Sequence, residues 1–188
     1  MMSFTHVSIA IVGAHLRSLV VIGVLSLGLL VQRVCADEPH NDNHVRTSDS
    51  RIRAAVADGI GRSAFFRDLV ARLDASDVIV YAETDCLMPS PLAGGLTFMS
   101  SVGGRRYVRV RIACSLDGRV QIAMLGHELR HAVEIADAGS VVDVPSLALA
   151  YQRIGFASGL MRTGTGYDSQ AAIEAGRRVW EELSRRGE

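Results

Sequence analysis

The chain has 188 residues, a length typical of one domain, and 48% of them are hydrophobic, which is enough to form a core. Its 20 basic residues balance 20 acidic residues, so the formal net charge is zero. This balance argues against the basic surface that nucleic-acid-binding proteins carry, and three cysteines are too few for a disulfide-rich miniprotein. We therefore expect a globular protein with no nucleic-acid partner.

The first 36 residues follow the pattern of a secretory signal peptide. Arg17 precedes an apolar run at 19–31, and small residues ending at Ala36 stand before an abruptly polar segment. The run is shorter than the roughly 20 residues that span a bilayer. We expect cleavage after Ala36, which leaves an exported protein, periplasmic or secreted, with no stable membrane insertion. Retention as the anchor of a structural protein is the alternative, because mildly apolar residues 7–14 extend the segment backwards.

Cleavage at this point leaves two cysteines, Cys86 and Cys114, in an oxidising compartment. An even pair in such a compartment predicts a disulfide, and two buried thiols are the alternative. Residues 37–50 are polar and show no hydrophobic period, so they are predicted to form a flexible linker. Within that linker, His40 and His44 are expected to be solvated rather than to bind a metal.

The remaining residues, 51–188, are predicted to form one α+β domain. Helices are expected where apolar residues recur every three or four positions, and strands where β-branched residues cluster or alternate with polar ones. The predicted elements are a helix from Arg51 that breaks at 59–61, a helix over 64–73 capped by Ser63, a strand over 78–81, a loop over 86–95, strands 96–102 and 105–113 joined at Gly103-Gly104 as a hairpin, and helices over about 118–137, 145–154 and 169–186.

The second strand of this hairpin alternates between two kinds of side chain. Tyr107, Arg109 and Arg111 share one face, and the valines and isoleucine between them share the other. With Arg105, the arginines could attract an acidic substrate, but a solvated strand face is the simpler interpretation. If this strand lies at the edge of a sheet, an extended peptide could add to it by backbone pairing.

One motif carries chemistry: residues 127–131 read His127-Glu128-Leu129-Arg130-His131, or H-E-x-x-H. On a helix the two histidines are one turn apart on the same face, so both rings can bind one metal ion. Zinc lowers the pKa of a bound water toward ~7, and Glu128 is placed to accept the proton. Apolar residues around the motif indicate a buried helix, in which a hydrogen-bonded pair of core histidines is the alternative.

The stretch from Gly126 to Glu134 resembles the active-site helix of zincin metallopeptidases, particularly the thermolysin-like gluzincin branch. The chain is also similar to small exported bacterial proteins with such a helix. Zincins place a β-sheet before this helix, with an edge strand along the substrate cleft, and the predicted hairpin occupies that place. The resemblance implies a zincin-like catalytic domain over 51–188, in which a small antiparallel sheet or hairpin packs on the motif helix beside additional helices.

The resemblance also implies a third, acidic zinc ligand. Gluzincins take it from a later helix, which favours Asp168 at the start of the last predicted helix and then Glu174 within it. Asp168 could instead be a helix N-cap, and Glu174 could face solvent. Glu134 shares the face of the two histidines and could bind the metal directly, which ranks it after Asp168 and before Glu174, but we favour a role for it in orienting a histidine. Asp137 fits the metzincin spacing, but Glu134 stands where that pattern has glycine.

We therefore predict an exported zinc-dependent hydrolase, more specifically a peptidase that acts on a peptide or protein. His127, His131 and Asp168 are the expected zinc ligands, and Glu128 is the expected general base that passes its proton to the leaving amine. A non-catalytic zincin-like domain that binds a cell-envelope partner is the alternative. Candidate donors to the developing oxyanion are Tyr167, Tyr151 and Arg153.

Overall fold

The computed structural model describes residues 43–161 and 164–185, and the α+β class predicted from the sequence is confirmed. The predicted signal peptide lies outside the described residues, as do residues 37–42 of the predicted linker, which include His40. No helix within the described ranges is both long and apolar enough to cross a membrane. In chain order the elements are β1 (Val45–Arg46), α1 (Ser50–Arg62), α2 (Ala64–Asp74), β2 (Val78–Asp85), β3 (Gly94–Val102), β4 (Arg105–Ala113), α3 (Gly118–Asp137), α4 (Val144–Ile154), β5 (Phe156–Met161), β6 (Gly164–Asp168) and α5 (Gln170–Arg185).

Four strands form a mixed sheet in the order β1-β2-β4-β3. The first three of these are parallel and β3 is antiparallel to β4, so the prediction of an antiparallel sheet holds only for the β3–β4 hairpin. Gly103 and Gly104 form the predicted turn with φ values of 59° and 73°, which glycine adopts without strain. Because β4 lies between β2 and β3, the arginine-bearing strand is not an edge. The edges are β1 and β3, and the pairing of β3 with β4 is interrupted by a bulge between Phe98 and Ser100.

The two faces of the sheet differ, as the alternation along β4 predicts. On the outer face, Arg109 lies 3.7 Å from Glu83 and Arg111 lies 3.1 Å from Asp85. These ion pairs favour a solvated strand face over a surface for acidic substrates. The inner face forms the core with the helices, and its buried strand residues are Val78, Val80, Ala82, Leu96, Phe98, Val108, Val110 and Ile112.

The helix α3 is buried over almost all of its length. Its final carbonyl groups lack partners within the helix, as at any helix C-terminus. The guanidinium of Arg106 in β4 satisfies them, donating to the carbonyl oxygens of Ile135 at 2.5 Å and Ala138 at 2.8 Å. The same guanidinium pairs with Asp77 at 2.5 Å. This buried arginine therefore fixes the end of α3 to the sheet.

Helix α5 packs closely along α3. A Cβ at Gly126 of α3 would lie 2.8 Å from Cγ2 of Val179, and a Cβ at Gly176 of α5 would lie 3.3 Å from the Cβ of His127. Both glycines therefore remove side-chain volume where the two helices meet. The close approach brings the N-terminal half of α5 next to the H-E-x-x-H motif.

The structure corrects the prediction for the residues just before α1. His44 is only 5% exposed, although the sequence predicted a solvated linker histidine. Its backbone N–H donates to Asp74 at 2.8 Å, and its Nε2 accepts from Arg105 at 3.1 Å. Val45 and Arg46 then form β1, which is too short to show a period in the sequence. The prediction of a break at 59–61 is also wrong, because α1 continues through it to Arg62.

Two further features concern the loops. Cys86 and Cys114 form a disulfide, which confirms that prediction. The hairpin of β5 and β6 was not predicted, because its glycine-rich sequence shows neither the alternation nor the β-branched residues of a strand. This hairpin leads from α4 to α5, and its last residue is Asp168.

Candidate metal centre

Two histidines of α3 meet at one point. His127 and His131 are one helical turn apart, neither is exposed, and their Nε2 atoms lie 3.1 Å apart. The ring planes are inclined at 73°, so the two nitrogen atoms converge while the rings do not stack. The spacing of four residues on a helix predicted this convergence.

Asp168 joins the two histidines from a different element. Its Oδ1 lies 3.3 Å from Nε2 of His127 and 3.4 Å from Nε2 of His131. Gly155, which follows α4, allows the backbone to pass close by, because a Cβ there would lie 2.4 Å from the carbonyl oxygen of Asp168. Of the four positions considered for an acidic ligand, Asp168 is the one that the structure places against both histidines.

The N-cap of α5 is Ser169, not Asp168. The Oγ of Ser169 accepts a hydrogen bond from the backbone N–H of Ala172 at 3.0 Å, as an N-cap side chain does. The carboxylate of Asp168 is therefore free of that role and turns toward the histidines. Its Oδ1 also accepts from the backbone N–H of Ser169 at 2.6 Å.

The three donor atoms have the spacing of metal ligands. Zinc binds histidine nitrogen and carboxylate oxygen at about 2.0–2.2 Å in tetrahedral sites, which places neighbouring ligand atoms about 3.3–3.6 Å apart. The observed separations of 3.1, 3.3 and 3.4 Å form a triangle close to this size. His127, His131 and Asp168 together therefore fit a tetrahedral ion with one position left for another ligand.

Glu134 lies behind His131 rather than in the triangle. Its Oε2 lies 2.9 Å from Nδ1 of His131 and accepts from the hydroxyl of Tyr151 at 2.7 Å. Its Oε1 accepts from the hydroxyl of Ser169 at 2.6 Å. A carboxylate in this position fixes the orientation of the imidazole and directs Nε2 toward the triangle. This is the placement that the sequence analysis favoured for Glu134.

Glu128 is fully buried, and neither of its carboxylate oxygens has a hydrogen-bond partner among the described residues. Gly94, the first residue of β3, makes room for it, because a Cβ at this position would lie 2.6 Å from Oε1 of Glu128. Leaving a buried carboxylate unpaired is costly, and burial raises the pKa of Glu128 to about 8. A carboxyl group with this pKa can both hold and release a proton near neutral pH.

The two histidines differ in protonation although they are neighbours. Burial lowers the pKa of His127. Burial acts in the same direction on His131, but hydrogen bonds to Asp168 and Glu134 outweigh it and raise the pKa of His131 to about 9. Burial also opposes ionisation of Asp168, yet hydrogen bonds from both histidines hold its pKa below the usual range. Without a metal, the triangle therefore holds a proton on His131, which an incoming cation has to displace.

The other sequence candidates lie elsewhere. Asp137 is bonded to Arg72 at the surface, and Glu174 pairs with Arg177 on the exposed face of α5. The hydroxyl of Tyr151 donates to Glu134 and lies beside Nδ1 of His131, so it does not point to where an oxyanion would form. Arg153 is exposed. Tyr167 packs with its ring centroid 6.4 Å from that of Tyr151 and is partly buried beside the core.

Ser169 was missed by the sequence analysis, although it contacts the site directly. A serine before a helix is a common N-cap, and Asp168 next to it offered an equally good cap in the sequence. Nothing in the sequence distinguished the two.

Comparison of the chain with protein-family models, curated proteins and solved structures found no match.

Proposed function

We propose that this chain is a zinc-dependent hydrolase in which His127, His131 and Asp168 hold the metal and Glu128 is the general base. The triangle of three buried donor atoms at tetrahedral spacing supports this proposal most directly. His127, His131 and Asp168 would hold the zinc, which would supply a Lewis acid for a carbonyl group and acidify water toward a pKa of ~7. A zincin-like fold is part of the same proposal.

The chain itself supplies the proton transfer and the orientation of the ligands. The carboxylate of Glu128, which has no hydrogen-bond partner among the described residues, would accept a proton from the nucleophile and return it to a leaving amine. Glu134 accepts from Nδ1 of His131, which leaves Nε2 as the atom that faces the ion.

A peptide or protein is the proposed substrate. The motif resembles that of zincin peptidases, and β3 is an edge strand that begins at Gly94, directly against Glu128. An extended peptide that pairs with such an edge is led toward the general base.

We also propose that the protein is exported, because disulfides such as Cys86–Cys114 persist mainly in oxidising compartments.

A non-catalytic zinc domain that binds a cell-envelope partner is the second candidate. The burial of the site favours it, because His127, His131 and Glu128 are 0% exposed and Asp168 only 4%. Structural zinc sites are closed in this way, but they usually have four protein ligands. The triangle has three, and Glu128 has no hydrogen-bond partner in the part of the chain that the structure describes, so we place the hydrolase first.

The test begins with the metal content of the purified protein beside His131→Ala. We expect about one zinc per chain in the wild type and none in the variant, because removal of one ligand breaks the triangle. Mass spectrometry of a peptide library incubated with each protein then shows whether any peptide is cleaved. Glu128→Gln is the matched control, since it keeps the shape of the side chain and removes only the base.

If the chain is a hydrolase, Glu128→Gln should retain zinc, and its rate of peptide cleavage should fall by at least ~100-fold. Zinc in the wild type without cleavage of any peptide would support the non-catalytic domain instead. A folded wild type with no zinc after exposure to excess metal would contradict both, and would leave two hydrogen-bonded core histidines.

A further inference from the structure

The hydroxyl of Ser169 makes two hydrogen bonds, one as donor and one as acceptor. It donates to Oε1 of Glu134 at 2.6 Å and accepts from the backbone N–H of Ala172 at 3.0 Å, and the residue is 1% exposed. A hydroxyl is the side-chain group that both donates and accepts at a single oxygen atom. An aspartate would cap α5 equally well, but it would place a second carboxylate against Glu134.

Ser169 also completes a closed circuit of contacts. Nδ1 of His131 contacts Glu134, and Oε1 of Glu134 accepts a hydrogen bond from Ser169. Ser169 follows Asp168 in the chain, and Oδ1 of Asp168 lies against Nε2 of His131. Two proposed ligands from different elements are therefore fixed relative to each other. Without the hydroxyl, Oε1 of Glu134 loses this partner, and one hydrogen bond between α3 and the start of α5 is lost.

We propose that Ser169 is a positioning residue of the metal centre, which holds Glu134 behind His131 and thereby sets His131 and Asp168 at metal-binding distance. This inference rests on the proposed metal site. Its consequence is that loss of the hydroxyl weakens metal binding more than loss of a helix cap alone explains. Replacement of residues that orient a metal ligand typically costs about 10- to 100-fold in metal affinity.

The chain contains a matched control in Ser63, the N-cap of α2. Ser63 is 0% exposed, its hydroxyl donates to Oε2 of Glu182 at 2.8 Å, and it accepts from the backbone N–H of Phe66 at 3.0 Å. The two serines therefore have the same chemical role at a helix start. They differ in that the glutamate bound by Ser169 touches a proposed metal ligand.

The experiment measures zinc affinity of the purified protein by competition with a fluorescent chelator. Ser169→Ala is compared with Ser63→Ala, and thermal unfolding with EDTA reports the stability of each without metal. We expect Ser169→Ala to lose at least ~10-fold in zinc affinity, and Ser63→Ala to stay within about twofold of the wild type, since only the first disturbs a ligand. Both variants should lose similar metal-free stability.

Two further variants separate positioning from capping. Ser169→Thr keeps the hydroxyl and should restore most of the affinity. Glycine is tolerated at a helix N-cap better than alanine but has no hydroxyl, so Ser169→Gly should fold and still bind zinc weakly. The visible absorption of the Co²⁺-loaded protein should change in Ser169→Gly, because the geometry of the ligands changes, and should be unaltered in Ser63→Gly.

The outcomes distinguish this inference from the function on which it rests. If the wild type binds zinc and Ser169→Ala and Ser169→Gly bind it as tightly as the Ser63 variants, Ser169 is only a helix cap and the inference is overturned. If the wild type binds neither zinc nor Co²⁺, the proposed metal site is wrong, and this inference is wrong with it.

Discussion

Gly94 lies against the carboxylate of Glu128, and the contact leaves no space for a side chain. A Cβ on Gly94 would be 2.6 Å from Oε1 of Glu128 and 3.0 Å from Cγ of Met124. Gly94→Ala therefore forces buried groups to move, and we expect a loss of about 1–3 kcal/mol in the free energy of unfolding. Chemical denaturation of the metal-free protein measures this loss.

The cause of that loss can be tested with a double mutant. Glu128→Ala removes the carboxylate that the new methyl group would meet, so Gly94→Ala should cost at least ~1 kcal/mol less in its presence. Gly61→Ala is the control, because a Cβ there meets nothing within 4 Å. A cost of Gly94→Ala that is the same with and without Glu128 would place the strain elsewhere.

At the scale of residues, the sequence predicted what depends on spacing within one helix. His127 and His131 converge because four residues make about one helical turn. The position of Asp168 was predicted only through the resemblance to gluzincins, since a residue after a hairpin has no periodicity that fixes its direction. Tyr151 and Ser169 bind Glu134 across helix contacts, and such contacts follow from packing rather than from spacing along the chain.

At the scale of elements, Arg106 joins β4 to the end of α3. Its guanidinium is buried and donates hydrogen bonds to carbonyl groups at the C-terminal end of α3. Arg106→Met keeps most of the apolar side chain but removes these hydrogen bonds and the ion pair with Asp77. We expect a loss of about 3 kcal/mol in the free energy of unfolding, measured by denaturant titration.

Arg109→Met on the same strand is the matched control. Its ion pair with Glu83 is exposed, so its loss should cost about 0–1 kcal/mol. The hydrogen bonds of Arg106 hold the pKa of Asp77 below its usual value. That part of the stability is present above about pH 4 and is lost as the pH falls further, so the difference between wild type and Arg106→Met should shrink in acid. Equal costs for the two variants would contradict the role given to Arg106.

The helices and the β3–β4 hairpin were predicted, because each has a local pattern. The parallel pairing of β2 with β4 was not, since it joins strands separated by β3 and has no turn sequence that indicates it. β1 illustrates the same limit, because two residues become a strand only through their pairing with Val80 and Tyr81.

At the scale of the whole molecule, the metal-free protein should lose stability as the pH rises above 6.5. His131 keeps its proton up to about pH 9 in the folded chain but loses it near 6.5 when unfolded, and Glu128 keeps its proton up to about 8 against about 4.5. The folded state therefore binds more protons than the unfolded state in this range, so the free energy of unfolding falls as the pH rises. We expect the melting temperature in EDTA to fall by several degrees between pH 6.5 and 9.

Zinc should reverse this trend, because it takes the place of the proton on His131 and binds more tightly as the pH rises. Glu128→Gln should give a shallower fall in EDTA, since only the contribution of His131 remains. A melting temperature that stays flat over this range in the metal-free wild type would show that neither group retains its proton.

The bulge at Met99 bears on how copies of the protein behave when they are concentrated. An exposed sheet edge offers unpaired backbone groups to any neighbouring chain, and long flat edges promote aggregation. In β3 the regular pairing stops between Phe98 and Ser100, which bends the edge and shortens its straight part to the residues that follow Gly94. A second sheet finds little regular edge to extend, whereas under the proposed function a short extended segment would pair beside Glu128. The bulge would thus limit edge-to-edge association without removing the segment that is proposed to pair with a peptide.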